Sequence, residues 1–147
     1  MRIARVCRAK YPDLDGKGAA ISGSRWNSPG TRMVYASSCG ALAILEYRVN
    51  VKRDPGDLRI YTIELPDAVK LETAPWMPDL RTAQIFGDKW IDSNSTVALA
   101  VPSVVAPRQI NYVLNPAHPD FAASVQIIQN YRFVLDLRLF DITPSTP

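Results

Sequence analysis

Apolar positions recur along this chain at two spacings. Met1 to Arg8 (MRIARVCR) mixes apolar and basic residues in rough alternation, as a strand with one buried face does. Met33-Val-Tyr-Ala36 is a short apolar run, and Leu58 to Leu65 (LRIYTIEL) is rich in β-branched and aromatic residues. Thr96 to Val101 (TVALAV) reads as a strand covered on both faces. Tyr131 to Phe140 (YRFVLDLRLF) sets Tyr131, Phe133, Leu135, Leu137 and Leu139 on one side at period two, which predicts a long closing strand. Helical spacing is rarer. Ser37 or Ser38 is placed to cap a helix through ALAILEYRV to about Arg48, and Asp79 to cap a second over LRTAQIFGDKWI. A third, short helix is predicted over Asp120 to Ile128. The two kinds of element do not alternate regularly. That argues against a doubly wound parallel sheet and predicts one α+β domain with mixed or antiparallel sheets.

Composition narrows the picture. With 147 residues, 47% apolar and 21% charged, the chain has the make-up of a single globular domain. MRIARVCRAK lacks the apolar core of a signal peptide, and no run approaches a membrane span. A cytoplasmic protein that does not enter a membrane is expected. Two cysteines outside a C-x-x-C pair and one histidine cannot supply four zinc ligands, so neither a metal nor a disulfide is expected. The net charge of +3 is spread without a dense basic run, which suits an anionic small molecule or an acidic protein better than nucleic acid.

Several residues can carry chemistry. Asp13 to Gly30 is glycine- and serine-rich and without period, and it holds Arg25, Trp26 and Asn27. The Arg25 guanidinium fork suits a diphosphate or carboxylate; equally, it can bond loop carbonyls while stacking on Trp26. Glu46 sits among apolar neighbours in ALAILEYRV. It is either a surface carboxylate pairing with Arg48 or Lys52, or one aimed into a cleft to stabilise positive charge. Tyr35 can stack on a planar ligand or fill the core. Ser103 stands at a strand end behind Pro102, either as a ligand contact or as a turn serine. His118, flanked at one side by Pro119, is not tied to Ser103, so a Ser-His-Asp triad is not supported. Asn115 precedes a proline and reads as a turn former or a ligand contact. Trp76 and Trp90 read as core or groove aromatics. Neither G-x-x-x-x-G-K-[ST] nor G-x-G-x-x-G occurs, which argues against ATP hydrolysis and Rossmann-type hydride transfer.

Taken in order, GAAISGSRWNSPGTRMVYASS, ALAILEY, GDKW, STVALAVPSVVAP, NYVLNPAHPDF and DLRLFD resemble the RES-domain family from about Arg5 to Asp141. The family's Arg, Glu and Ser fall on Arg25, Glu46 and Ser103, and Tyr35 and Asn115 also carry over. The chain departs from the pattern at Ser24, where glycine is expected, and at Cys39-Gly40, where an acidic residue is more usual. The resemblance implies a fold similar to ADP-ribosyltransferase toxins such as diphtheria toxin. It implies a catalytic set of Arg25, Tyr35, Glu46 and Ser103, and a substrate-binding set of Arg25, Trp26, Tyr35 and Asn115. It further implies cleavage of the nicotinamide–ribose bond of NAD⁺, which is the substrate, by a glycohydrolase or phosphorylase with water or phosphate as acceptor and no cofactor, so that cellular NAD⁺ is depleted. Mono-ADP-ribosylation of a protein is the alternative; a silent antitoxin-binding module and a nuclease toxin are the readings from other classes. The implied partner is an antitoxin with a helix-turn-helix region, through which alone DNA is contacted. The domain is expected over residues 1–142, with a flexible tail over 143–147.

Overall fold

The computed structural model describes residues 1–11, 14–51 and 55–140. Seven strands and four helices follow one another as β1 (Arg2–Arg8), α1 (Lys17–Ser22), β2 (Val34–Ser37), α2 (Gly40–Val49), β3 (Leu58–Glu64), β4 (Leu71–Thr73), α3 (Leu80–Ser93), β5 (Ala98–Pro102), β6 (Ile110–Leu114), α4 (Phe121–Ser124) and β7 (Gln126–Phe133). The strands form one sheet in the order β4-β5-β6-β2-β1-β3-β7. Only β4 and β5 are parallel; every other pairing is antiparallel. The α+β class read from the sequence is the class observed.

Strand alternation divides the side chains between two faces. On one, Ile3, Val34, Ala36, Ile63, Ala98 and Leu114 form a core closed by Leu65, Val97 and Val125. The other carries two cores. Leu99, Val101 and Val113 pack with Trp26, Met33 and, from α3, Ala83 and Trp90. Ala4, Val6, Leu58 and Ile60 pack with Ala43 of α2 and with Leu135. The boundary between these two cores follows a seam in the sheet. β1 and β2 pair only at Ala4 and Ser37, after which the strands part. Arg5 reaches across the gap, and its Nη1 donates to the Tyr35 carbonyl at 2.7 Å, an acceptor left without a strand partner. Burial pulls the Arg5 pKa below the usual arginine value, against the opposing pull of Cys7, Asp15 and Tyr61.

Several elements differ from the sequence reading. The closing strand starts at Gln126 and ends at Phe133, because β3 offers it partners from Glu64 to Leu58. A 3₁₀ turn then covers Leu137–Leu139, where the Asp136 carboxylate accepts from the Arg138 N–H and ends the extended run. The helix expected over Asp120 to Ile128 shrinks to Phe121–Ser124, since Gln126 onward is taken by the sheet. Neither serine caps α2. Cys39 is the N-cap, and Ser37 is the last residue of β2. Asp79 caps α3 as expected, accepting from the Thr82 N–H at 2.8 Å. The irregular loop contains α1, and β4 and β6 had no clear signal. The expected tail, residues 143–147, lies outside the described residues. Among those residues, no helix is long and apolar enough to cross a membrane.

Candidate active site

Glu46 leaves α2 and reaches the strand ends of the other half of the sheet. Its Oε1 accepts two hydrogen bonds, from Ser103 Oγ at 2.6 Å and from Asn111 Nδ2 at 2.7 Å. Both donors are themselves fixed. The Ser103 hydroxyl accepts from the Ala106 N–H at 3.0 Å, and Asn111 Oδ1 accepts from Ser37 Oγ at 2.8 Å. Ser37 and Asn111 stand opposite one another in β2 and β6, Val101 faces Asn111 from β5, and Ser103 lies two residues beyond Val101. All four therefore sit on one sheet face, at one end. Both of these bonds fall on one oxygen, and no described residue donates to Oε2. Arg48 does not pair with it. Its guanidinium donates to the Leu139 and Val51 carbonyls and stacks on Phe140 at 4.2 Å. The other surface partner considered, Lys52, lies outside the described residues.

The Arg25 loop is built from the same face. Ser24 and Asn27 close a tight turn, with the Ser24 N–H donating to the Asn27 carbonyl at 3.0 Å. The turn can form because Gly23 has φ +74, and a Cβ there would meet Pro29 Cδ at 2.9 Å. Asn27 is fully buried, and its Nδ2 donates to the Ala19 and Thr31 carbonyls. Tyr35 fastens the loop to β2: its hydroxyl donates to Asn27 Oδ1 at 2.7 Å and accepts from the Trp26 N–H at 2.9 Å. Burial raises the Tyr35 pKa well above the usual phenol value, so the donor is present at all physiological pH. From the other side α3 clamps the loop at successive turns. Arg81 Nη1 donates to Ser28 Oγ, Gln84 Nε2 to the Ser24 carbonyl, and Asp88 Oδ1 accepts from the Ser28 N–H. Gly87 lies against the Trp26 backbone, where a Cβ would fall 1.7 Å from the Trp26 carbonyl oxygen. Trp26 itself is a core residue, 2% exposed, set edge-on to Phe86.

Arg25 at the tip donates through Nη2 to the Met77 carbonyl and stands over the Trp76 ring, 5.6 Å from its centroid. Its Nε is buried without a partner. The structure thus joins Glu46 to Ser103 directly and joins Tyr35 to the Arg25 loop. It places Asn115 elsewhere. That side chain is fully buried and saturated by the protein, with Nδ2 donating to the Ile91 carbonyl and to Asn94 Oδ1 and Oδ1 accepting from the Ala117 N–H. Sequence reasoning missed Asn111 and Ser37. Period-two spacing from Val113 would have put Asn111 on the site face, but β6 itself was not recognised.

The chain resembles known proteins along most of its length. The RES domain model matches residues 2–136. A protein of Sphingobium sp. (strain YBL2) named Prs ADP-ribosylating toxin is 41% identical over 133 residues, covering 81% of this chain and 83% of that protein. A protein named Toxin Res from Pseudomonas putida is 35% identical over 139 residues, covering 88% of this chain and 94% of the other. Among solved structures, a chain of the M. tuberculosis MbcT–MbcA toxin–antitoxin complex has the same fold, with a TM-score of 0.70 at 19% identity over 90% of this chain and 84% of that one. The single α+β domain expected from the sequence is the one found, and the chain belongs to the RES-domain family of toxins.

Proposed function

We propose that this protein cleaves the nicotinamide–ribose bond of NAD⁺ and acts as the toxin half of a toxin–antitoxin pair. The observation that carries this reading is the Glu46 carboxylate, held on one oxygen by Ser103 and Asn111, with no donor to the other oxygen among the described residues. As the C–N bond breaks, its electron pair goes to the pyridinium nitrogen, and nicotinamide leaves neutral without needing a proton. Positive charge builds on the ribose, as in other glycosyl cleavages. A fixed carboxylate oxygen stabilises that charge without reorganising. Water then adds to the ribose carbon and loses a proton, giving ADP-ribose. Ser103 and Asn111 orient Glu46, Tyr35 holds the Arg25 loop, and Arg25 takes the diphosphate through its fork. Asn115 has no step in this scheme.

Incubating the purified protein with NAD⁺ alone tests the reading. Free nicotinamide and ADP-ribose in equal amounts are expected; intact NAD⁺ with folded protein would sink it. Transfer of ADP-ribose to a protein is the second reading, favoured by the name and 41% identity of the Sphingobium relative. It predicts nicotinamide release only when the acceptor is added, with the label on that acceptor. The partner is a separately encoded antitoxin that covers the Glu46 and Arg25 site, brings the helix-turn-helix contact to DNA, and restores NAD⁺ levels when co-expressed.

A further inference from the structure

The segment Ala74–Met77 joins β4 to α3 beside the Arg25 loop. Its first residue is pinned to the sheet: Ala74 is buried, and its N–H donates to the Ala100 carbonyl at 2.8 Å. β4 runs parallel to β5, so this strap leaves the sheet at the end where Ser103 stands. Adjacent strands lie about 4.8 Å apart. Across that sheet end the order is therefore Ser37, Asn111, Ser103 and then the strap. Trp76, in the middle of the strap, is 56% exposed. Trp90 shows what a structural tryptophan looks like here, being 4% exposed with its indole N–H on Thr96 Oγ1 at 2.9 Å. The Trp76 indole has no such partner among the described residues, and the side chain it meets is a guanidinium that already has one buried, unpaired N–H. An unpaired buried donor is costly unless a ligand atom satisfies it.

We infer that Trp76 is a substrate-contacting residue that stacks the adenine of the dinucleotide, while Arg25 takes the adjoining diphosphate. The inference rests on the NAD⁺ reading above. Glu46 marks the ribose–nicotinamide end of the site. The strap lies one strand beyond Ser103, on the side away from β2, and an elongated dinucleotide extending that way brings its second base to Trp76. A planar base gains from an aromatic face and from an adjacent guanidinium alike.

The test uses ADP-ribose and three proteins: wild type, Trp76→Ala and Trp76→Phe. By titration calorimetry, Trp76→Ala is expected to bind ADP-ribose roughly tenfold more weakly, within the range that base–aromatic stacking supplies, and Trp76→Phe is expected to recover most of the loss. ADP-ribose is also expected to quench tryptophan emission in the wild type and not in Trp76→Phe, a signature that a residue merely holding Arg25 in place would not give. Equal affinity in Trp76→Ala, absence of quenching, or no ADP-ribose binding by the wild type each overturns the inference. NAD⁺ loss measured on the same wild-type preparation judges the proposed reaction separately. Trp76-dependent binding without NAD⁺ loss would sink the reaction and leave the stacking role standing.

Discussion

Two asparagines flank the middle of β6, Asn111 near its start and Asn115 just past its end, and they serve opposite purposes. Asn115 is fully buried, with both hydrogen-bonding ends satisfied by the Ile91 carbonyl, Asn94 and Ala117, which ties the end of α3 to the turn after β6. Asn111 is half-buried and passes a hydrogen bond from Ser37 on to Glu46, where the chain of donors ends at a carboxylate with one oxygen unclaimed among the described residues. A closed network of this kind stabilises a fold. An open one, whose last member keeps acceptor capacity, is what a ligand needs. Both asparagines look alike to sequence pattern; only the identity of their partners separates them.

The largest effect is expected where the open network ends. Glu46→Gln keeps the size of the side chain, and its amide oxygen can still accept from Ser103 and Asn111. Only the charge is lost. NAD⁺ cleavage should fall by roughly 10²–10³-fold, the cost typical of removing one preorganised electrostatic contact, while the melting temperature stays close to wild type. Measuring nicotinamide release and thermal unfolding on the same preparation checks both halves, and wild-type turnover in a folded variant would break the comparison.

The two asparagines themselves provide the sharper contrast. Asn115→Ala strands a carbonyl, an amide oxygen and an N–H in a fully buried place, which should cost about 2 kcal/mol of stability. For a domain of this size that is a drop of roughly 4–8 °C in melting temperature, with turnover per folded molecule unchanged below the transition. Asn111→Ala should behave in reverse. Glu46 keeps its bond from Ser103 but loses the second donor that fixes its orientation. We expect turnover to fall by at least about tenfold, since a hydrogen bond to a charged group contributes about 1.5–3 kcal/mol, with little change in melting temperature. If both variants lose stability and activity in the same proportion, the distinction between closed and open networks fails.

Much of the fold could be read from the chain, because it lies in periodicity. β1, β2, β3 and β5 follow from alternating or continuous apolar runs, and α3 from its Asp79 cap. β4 was illegible because three residues, all exposed, carry no pattern and are held as strand only by β5. The extent of β7 depends on β3, a partner far away in sequence, and its residues up to Arg132 are exposed. The Arg25, Glu46 and Ser103 positions were legible through the family resemblance. Their local patterns left each open between a structural and a chemical role. What no local pattern contains is the register that brings Ser37 and Asn111 under Glu46, or the strap that puts Trp76 over Arg25. Those are products of strand order.

The smallest effect lies where the two kinds of network meet, at Tyr35. Its hydroxyl spends its hydrogen on Asn27 and accepts from the Trp26 N–H, so the bond to Asn27 lasts only while the phenol is protonated. Tyr35→Phe leaves Asn27 Oδ1 and the Trp26 N–H without this partner and should cost about 1 kcal/mol at neutral pH, the low end for unpairing buried polar groups. The pH dependence follows from the direction of the shift. Burial lifts the folded-state pKa above that of a free phenol. The contribution of Tyr35 is therefore fully present below the unfolded value of about 10 and is lost progressively as pH rises through the folded one. The stability gap between wild type and Tyr35→Phe should accordingly hold from pH 6 to 9 and narrow above pH 10. Denaturant midpoints for the two proteins at pH 7 and pH 11 measure it. A gap that is as wide at pH 11 as at pH 7 would mean that the Tyr35 hydroxyl proton does not hold the loop, and that the Arg25 turn belongs to the closed part of the molecule, secured by Asn27 and α3 alone.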